Sequence, residues 1–268
     1  MKRHNHFLTL GLILSALVFL FILTGYFWTP CDPMKMNGAL SSSPPSAAHL
    51  MGTDQFGRDI LSRVMRGAGA TFFVAFGTVV IGTVAGTTVG ALTGYFGGWV
   101  DEVLMRLNDA LSAFPSFLLA LVLVSVLGRG RNHLLLALGI VFIPSYARIV
   151  RTEFKRARTQ NYVKSAQLMG ASTARILFVH ILPNIWTVLL SAITIGFNNA
   201  VLAEASMSYL GIGVTPPDAS LGYMLSEAQG MFTRAPWYAL CTGLVIVLLV
   251  FGVGLIGEGL QRRSGEVI

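Results

Sequence analysis

Residues 148–184 read RIVRTEFKRARTQNYVKSAQLMGASTARILFVHILPN, a basic segment between long apolar stretches. The segment contains seven Lys or Arg residues and a single acid, Glu153. Each of these charges would cost roughly 2.5–3.5 kcal/mol at the centre of a bilayer, so the segment is predicted to lie in water. Its excess of positive charge predicts the cytoplasmic side of a membrane.

The composition of the whole chain supports a membrane protein. Of the 268 residues, 54% are hydrophobic and only 12% are charged, whereas soluble domains average about 25% charged residues. The net charge of +7 would also suit a nucleic-acid-binding protein. However, the basic residues flank apolar spans rather than covering a polar surface, so no nucleic acid is expected as a partner.

Six apolar segments approach or meet the roughly 20 residues that a spanning helix needs. They are Phe7–Trp28, Phe72–Phe96, Ala110–Leu127, Asn132–Ala147, Ile185–Ala203 and Trp237–Ile256. The fourth is short and is expected to continue through Arg148 to Arg151, whose side chains would reach the headgroups. The sequence therefore predicts an all-α, polytopic membrane protein with about six transmembrane helices.

The chain is predicted to have four parts. Residues 1–28 form a tail and the first transmembrane helix, which is too long for a signal-peptide core and is expected to stay as an anchor. Residues 29–71 form an extracytoplasmic loop, residues 72–260 a core transmembrane domain that contains a cytoplasmic loop at 152–184, and residues 261–268 a cytoplasmic tail. An even number of spans places both termini on one side. Twelve Lys or Arg residues on that side against seven on the other predict that it is cytoplasmic.

The end of the extracytoplasmic loop has its own pattern. Residues 52–67 read GTDQFGRDILSRVMRG, in which Ile60, Leu61, Val64 and Met65 form a helical apolar stripe. This pattern predicts an amphipathic helix at the membrane interface. The helix could be a headgroup anchor, or part of an outer gate or receptor-docking surface to which Arg58 and Asp59 would contribute.

Glycine recurs every four residues in the second apolar segment, at Gly82, Gly86, Gly90 and Gly94. All four share one helix face, and such a face lets another backbone approach closely within a membrane. The sequence leaves open whether this face packs inside the subunit, or instead contacts a second subunit or slides during transport.

Acidic residues near membrane depth are candidates for function. Glu204, with Ser206 close by, lies at the end of the fifth apolar segment. Glu204 could be a hydrogen-bonded structural acid near the outer boundary, or it could take part in a pathway or gate.

Motifs for catalysis and for nucleotide binding are missing from the sequence. It contains no GxxxxGK[ST], HExxH or GxSxG pattern, so no catalytic or cofactor-binding residues are expected. The two cysteines, Cys31 and Cys241, form no CxxC motif or Cys/His cluster, and no metal site is expected. Whether the two cysteines pair with each other stays open. Energy for any pumping should come from another polypeptide.

The basic segment predicts two short helices at a fixed angle. Tyr162–Met169 is a good helix former. Gly170 can end that helix with left-handed dihedral angles, and Ser172 can cap a second helix over Ala174–His180. Pro183 disfavours helix at the residue before it and is expected to end the second helix.

The same segment carries a family resemblance. Lys164-Ser165-Ala166, then Gly170, then the sequence His180-Ile181-Leu182-Pro183-Asn184 resembles the EAA loop of binding-protein-dependent ABC importer permeases. The stretch NYVKSAQLMGASTARILFVHILPN is similar to the form in the dipeptide/oligopeptide/nickel family, C-type subunit. GTDQFGRDILSR (52–63) and AEASMSYLGIGVTPPDASLGYMLSEAQ (203–229) resemble two further blocks of that family, in the same order.

The resemblance implies an ABC importer type I permease fold and a set of partners. These are a homologous second permease, one or two cytoplasmic ABC ATPases that bind ATP and Mg, and an extracytoplasmic substrate-binding protein, with membrane lipid around the spans. The residues implied to contact the ATPase are Tyr162, Lys164, Ser165, Ala166, Met169, Gly170, Ala171, His180, Leu182 and Pro183. Lys164 stands where the motif usually has Glu and Ser165 where it has Ala, which puts any salt bridge of that Glu in doubt.

The resemblance also indicates a cargo, namely di- or oligopeptides, with nickel or a metal chelate as the alternative. Two other classes of protein stay open. An ion-coupled secondary carrier would need buried ion ligands in its spans, and a membrane scaffold would need no transport chemistry.

Overall fold

The computed structural model describes residues 6–265, with side chains described up to residue 262. Its α-helices, in chain order, are α1 (His6–Phe27), α2 (Ile60–Phe96), α3 (Gly98–Ser112), α4 (Ser116–Leu127), α5 (Arg131–Arg158), α6 (Asn161–Leu168), α7 (Thr173–Arg175), α8 (Trp186–Tyr209), α9 (Leu221–Gln229) and α10 (Pro236–Gly265). The predicted all-α class is confirmed. Lys2, Arg3 and the last residues of the 261–268 tail lie outside the described residues.

Within residues 6–265, five helices are long and apolar enough to cross a membrane: α1, α2, α5, the helical stretch Thr173–Tyr209 and α10. A sixth crossing results if α3 and α4 together count as one bent span. The prediction of about six transmembrane helices agrees with this result.

The third predicted span, Ala110–Leu127, is not one straight helix. It is divided between α3 and α4, whose axes meet at 88°. The break lies at Ala113 to Pro115, and Pro115 directly precedes α4. Proline has no backbone N–H and disfavours helix at the residue before it, so the chain turns there although both sides are helical.

The amphipathic helix predicted at the interface is instead the first part of α2. Helix α2 begins at Ile60 and continues without a break to Phe96, so the predicted boundary at residues 71/72 falls inside it. Ile60 and Val64 are fully buried, in a cluster with residues of α1, α9 and α10. The apolar stripe therefore faces protein and not lipid headgroups, a distinction that helical periodicity cannot make.

The glycine face of α2 packs against α5. A Cβ atom at Gly86 would lie 2.5 Å from Cβ of Tyr146, and one at Gly90 would lie 2.6 Å from the carbonyl oxygen of Ala147. Gly82 and Gly94 approach α5 in the same way. This arrangement favours packing inside the subunit over contact with a second one.

Helix α5 also extends further than predicted, to Arg158, so the first third of the basic segment is helical and continuous with the fourth span.

Candidate functional sites at the two ends of helix α2

Helix α2 connects two polar regions at opposite ends of the bundle. With 37 residues at 1.5 Å per residue, it is about 55 Å long. Its last residues contact the basic segment, where Arg158 donates to the Phe96 carbonyl oxygen and Gln167 to the Tyr95 hydroxyl. Its first turn contacts a buried cluster of ion pairs. We refer to residues 161–185 as the coupling segment and to Asp54, Arg58, Arg63, Glu227 and Tyr238 as the ion-pair cluster.

The first part of the coupling segment folds as the sequence predicts. Helix α6 ends in a Schellman motif, in which the N–H of Gly170 donates to Gln167 and the N–H of Ala171 donates to Ala166, both at 3.0 Å. Gly170 has φ of +78°, the left-handed conformation that glycine adopts without a steric cost. Ser172 then caps α7 by accepting a hydrogen bond from the Arg175 N–H.

The coupling segment has a buried side and an exposed side. Val163 and Ala166 are buried in an apolar cluster with Val150 and Phe154 of α5. Leu168 and Met169, at the tip, are 89% and 81% exposed. Two large, exposed apolar side chains at the tip of a turn are suited to contact with another protein.

Ten predicted contact residues divide between these sides. Tyr162, Lys164, Ser165, Met169, Gly170 and Pro183 are exposed, Ala171, His180 and Leu182 are partly buried, and Ala166 is buried. The exposed group is available to a partner, whereas Ala166 contributes to the fold of the segment itself.

The second half of the coupling segment differs from the prediction. Ala174–His180 is not a separate short helix, because the chain continues through a π-helical turn (Ile176–Ile181) and a 3-10 turn (Leu182–Ile185) into α8. Pro183 lies in the first turn of the 3-10 helix, where its missing N–H leaves no hydrogen bond unmade. The chain is therefore helical without a break from Thr173 to the end of α8.

The ion-pair cluster lies at the other end of α2. Arg58 contacts Asp54 at 2.6 Å and Glu227 at 2.9 Å, and Arg63 contacts Glu227 at 2.7 Å and also pairs with Asp54. Tyr238 of α10 donates to Glu227 at 2.8 Å. All four charged side chains are at most 11% exposed. The charges of two buried arginines are thus balanced by two carboxylates. Together with Tyr238, these ion pairs join the loop before α2 to α2, α9 and α10.

Asp59 has a structural position beside this cluster. Its Oδ2 accepts hydrogen bonds from the N–H and the hydroxyl of Ser62, at 2.8 and 2.6 Å, and so caps α2. Its Oδ1 is 2.9 Å from Nδ1 of His49. Cys31 lies next to this pair. Burial raises the pKa of the Cys31 thiol, as does the charge of Asp59, and Lys35 partly offsets both.

The surroundings of Glu204 differ from those of Ser206. Both also differ from the surroundings of Arg58 and Asp59. Glu204 is fully buried in α8, which continues past it to Tyr209, so it does not end the span. It accepts a hydrogen bond from Ser208 at 2.7 Å, and the hydroxyls of Thr71 and Ser220 lie beside it. Ser206 is exposed and donates to a carbonyl of its own helix. This environment favours the structural interpretation of Glu204.

Sequence reasoning missed several residues of these sites. Glu227 and Tyr238 are far from Arg63 in the chain, and no local pattern indicates that they meet. Cys31, His49 and Asp59, with ligand atoms within 4.8 Å of one another, likewise form no short motif. Cys31 and Cys241 are both free thiols.

Comparison with known proteins agrees with the fold. A chain of the MetNI methionine ABC transporter in an inward-facing conformation superposes with a TM-score of 0.61 at 20% identity, covering 77% of this chain and 96% of that one. The molecule thus has the all-helical fold of an ABC importer permease.

The family model for the binding-protein-dependent transport system inner membrane component matches residues 86–265. The dipeptide transport system permease protein DppC of Haemophilus influenzae is 38% identical over 97% of this chain and 90% of its own length. The oligopeptide transport system permease protein OppC of Bacillus subtilis is 35% identical over 97% and 85%, and the glutathione transport system permease protein GsiD of Pectobacterium atrosepticum is 38% identical over 81% and 72%.

The chain belongs to the family of binding-protein-dependent transport system inner membrane components. It is a multi-pass inner membrane protein and a non-catalytic permease subunit of an ABC importer, which works with a separate ATPase and a binding protein.

Proposed function

We propose that this chain is the C-type permease subunit of an ATP-driven importer of di- and oligopeptides, and that it forms half of the translocation pathway. The observation that supports a peptide cargo is the similarity, along nearly the whole chain, to permeases named for dipeptide and oligopeptide transport. The other half would come from a homologous permease. One or two cytoplasmic ATPases would bind ATP and Mg, and an extracytoplasmic binding protein would deliver the peptide.

The coupling segment supplies the mechanical connection in this proposal. The exposed tip at Leu168 and Met169 would seat in a surface of the ATPase. Because Val163 is buried against α5 and the chain is continuously helical from Thr173 into α8, a displacement of the tip would move both helices. The close contact of α2 with α5 would then carry the motion to the opposite end of the bundle.

The proposed orientation places both termini and the coupling segment in the cytoplasm, and the ion-pair cluster outside. In this arrangement Arg58 and Asp59 stabilise the outer loop and the start of α2. Their buried partners favour that role over direct contact with a passing peptide.

Substitutions at the tip test the coupling. Met169→Asp and Leu168→Asp should each abolish co-purification of the ATPase and ATP-dependent uptake of a labelled dipeptide by membrane vesicles, with normal membrane insertion. Leu50→Asp is the matched control, because Leu50 is an exposed apolar residue at the other end of the bundle. Retained ATPase binding in both tip variants would contradict the proposal.

The same vesicles distinguish the alternatives. Uptake of labelled Ni²⁺ but not of dipeptide would indicate a nickel importer.

A further inference from the structure

Three side chains with metal-binding atoms meet beside the first turn of α2. The ligand atoms of Cys31, His49 and Asp59 all lie within 4.8 Å of one another, and His49 Nδ1 is 2.9 Å from Asp59 Oδ1. In a tetrahedral zinc site, bonds of about 2.0 Å to nitrogen and oxygen and about 2.3 Å to sulfur place the ligand atoms roughly 3.3–3.5 Å apart. Small side-chain rotations would therefore bring the three atoms to bonding distance of one ion.

Hydrogen bonds hold two of the three residues in place. Fully buried Ser62 accepts from the Cys31 backbone N–H at 3.0 Å and donates to Asp59 Oδ2 at 2.6 Å. The Ser62 N–H also donates to Oδ2, which leaves Oδ1 directed at His49. Such bonds to the second oxygen orient ligating carboxylates in metal sites.

The position of His49 is also restrained. It lies in a turn in which its carbonyl oxygen accepts from the Gly52 N–H at 2.8 Å and its N–H donates to the Ser46 carbonyl oxygen at 3.2 Å. Its side chain is 18% exposed and that of Asp59 is 2% exposed. The site is thus shielded on the Asp59 side and reachable from water on the His49 side.

We propose that Cys31, His49 and Asp59 bind a divalent cation of the zinc class, with a water molecule as the fourth ligand. The combination of a thiolate, an imidazole and a carboxylate is typical of Zn²⁺ and of its spectroscopic substitute Co²⁺. The thiol releases its proton on binding, and the thiolate and carboxylate together neutralise the charge of the ion.

The bound ion has a structural consequence that is independent of the cargo. It ties the segment after α1, the turn at His49 and the N-terminus of α2 together. The loop that contains the ion-pair residues Asp54 and Arg58 lies between these attachment points, so the ion would fix that loop on the bundle.

The test uses the full-length chain, purified without a polyhistidine tag in the complex it forms with its partner subunits and stripped with a chelator. Titration with Co²⁺ should produce a thiolate-to-cobalt charge-transfer band in the near ultraviolet, which Zn²⁺ then removes. The band should be lost in Cys31→Ser and kept in Cys241→Ser, since Cys241 is the other free thiol of the described chain. A wild-type protein without the band, or a band that survives in Cys31→Ser, would overturn the proposal.

A second pair of variants keeps Cys31 intact and decides the matter if Cys31→Ser fails to assemble. His49→Gln should weaken Zn²⁺ binding at least about tenfold, whereas His133→Gln should not, because His133 lies at the start of α5. Zn²⁺ should also raise the unfolding temperature of the wild type but not of His49→Gln. Equal Zn²⁺ affinity in both variants means that the His49–Asp59 contact is only a hydrogen bond, which would refute the site.

Discussion

Arg63 on α2 and Glu227 on α9 form an ion pair of 2.7 Å inside the protein, with exposed fractions of 4% and 11%. Glu227 also accepts from Arg58 and from Tyr238. This one carboxylate therefore contacts two buried guanidinium groups, whose charge it shares with Asp54, and connects the loop before α2 with α9 and α10. Its removal would leave positive charge in a place that water reaches poorly.

Glu227→Gln should consequently destabilise the protein strongly. Removing one partner of a buried ion pair typically costs about 3–5 kcal/mol, because the remaining charge stays desolvated. The expected result is a large fall in the unfolding midpoint of the detergent-purified protein. Asp218→Asn is the control, since Asp218 is half exposed and 4.0 Å from Arg131, and it should change the midpoint little. Equal midpoints for the two variants would contradict the importance of the cluster.

The glycine face predicts intolerance to a single methyl group. Gly86→Ala would place Cβ 2.5 Å from Cβ of Tyr146, so α2 and α5 would have to separate, at a cost of roughly 1–3 kcal/mol. Gly243→Ala on α10 is the matched control, because the nearest atom from another element, Cδ1 of Leu225, is 3.9 Å from its Cβ. The unfolding midpoint should fall in the first variant and stay level or rise in the second. The opposite order would show that α2 and α5 are not packed as described.

The effect of a substitution at Gly170 should depend on how readily the new residue adopts the left-handed conformation, and not on the size of its side chain. Its φ is +78° and, apart from its chain neighbours, no residue has an atom within 4 Å of a Cβ placed there, so Gly170→Ala costs only the left-handed strain, about 1–2 kcal/mol. Asparagine adopts this conformation more readily. ATP-dependent uptake should therefore decline in Gly170→Ala and be closer to normal in Gly170→Asn. Larger damage from the asparagine variant would mean that the partner surface, and not the turn, sets the requirement for glycine.

The reactivity of Cys31 should depend on pH in a way that its neighbours control. Only the thiolate reacts with maleimides, and burial together with Asp59 raises the pKa of this thiol. In chelator-treated Cys241→Ser protein, the labelling rate should still be increasing with pH above the ordinary pKa of a thiol, about 8.5.

Two variants give the sign of this effect. Asp59→Asn retains a good helix cap but removes the negative charge, so the labelling curve should move to lower pH. Lys35→Gln removes a nearby positive charge and should move the curve to higher pH. A curve that does not respond to Asp59→Asn would indicate that the carboxylate is too distant to influence the thiol.

Local features of the coupling segment could be read from the sequence. Helix α6, the left-handed Gly170 and the Ser172 cap depend on dihedral preferences and hydrogen bonds within a few residues, and all three are confirmed. The prediction of a separate helix that ends at Pro183 was wrong. There the chain forms π and 3-10 turns, in which Ile176 and Ile181 are buried in a cluster with residues of α5 and α8.

The apolar stripe at Ile60 and Val64 shows the limit of periodicity. The pattern correctly indicates a helix with one apolar face, but a face covered by lipid headgroups and a face covered by α1, α9 and α10 have the same sequence signature. The partners of Arg58 and Arg63 could not be predicted for a related reason, because Glu227 and Tyr238 are brought to them only by the packing of α9 and α10.

By itself, the sequence determined the membrane class, the approximate spans, the charged segment between the fourth and fifth spans and the turn at Gly170. Each of these depends on the length of an apolar run or on the chemistry of adjacent residues. Only the tertiary structure decided that the glycines of α2 contact α5, that four charges are buried together, and that Cys31 lies near His49 and Asp59. Each of these contacts forms between residues that are far apart in the chain. Its energy therefore depends on which surfaces meet when the helices pack.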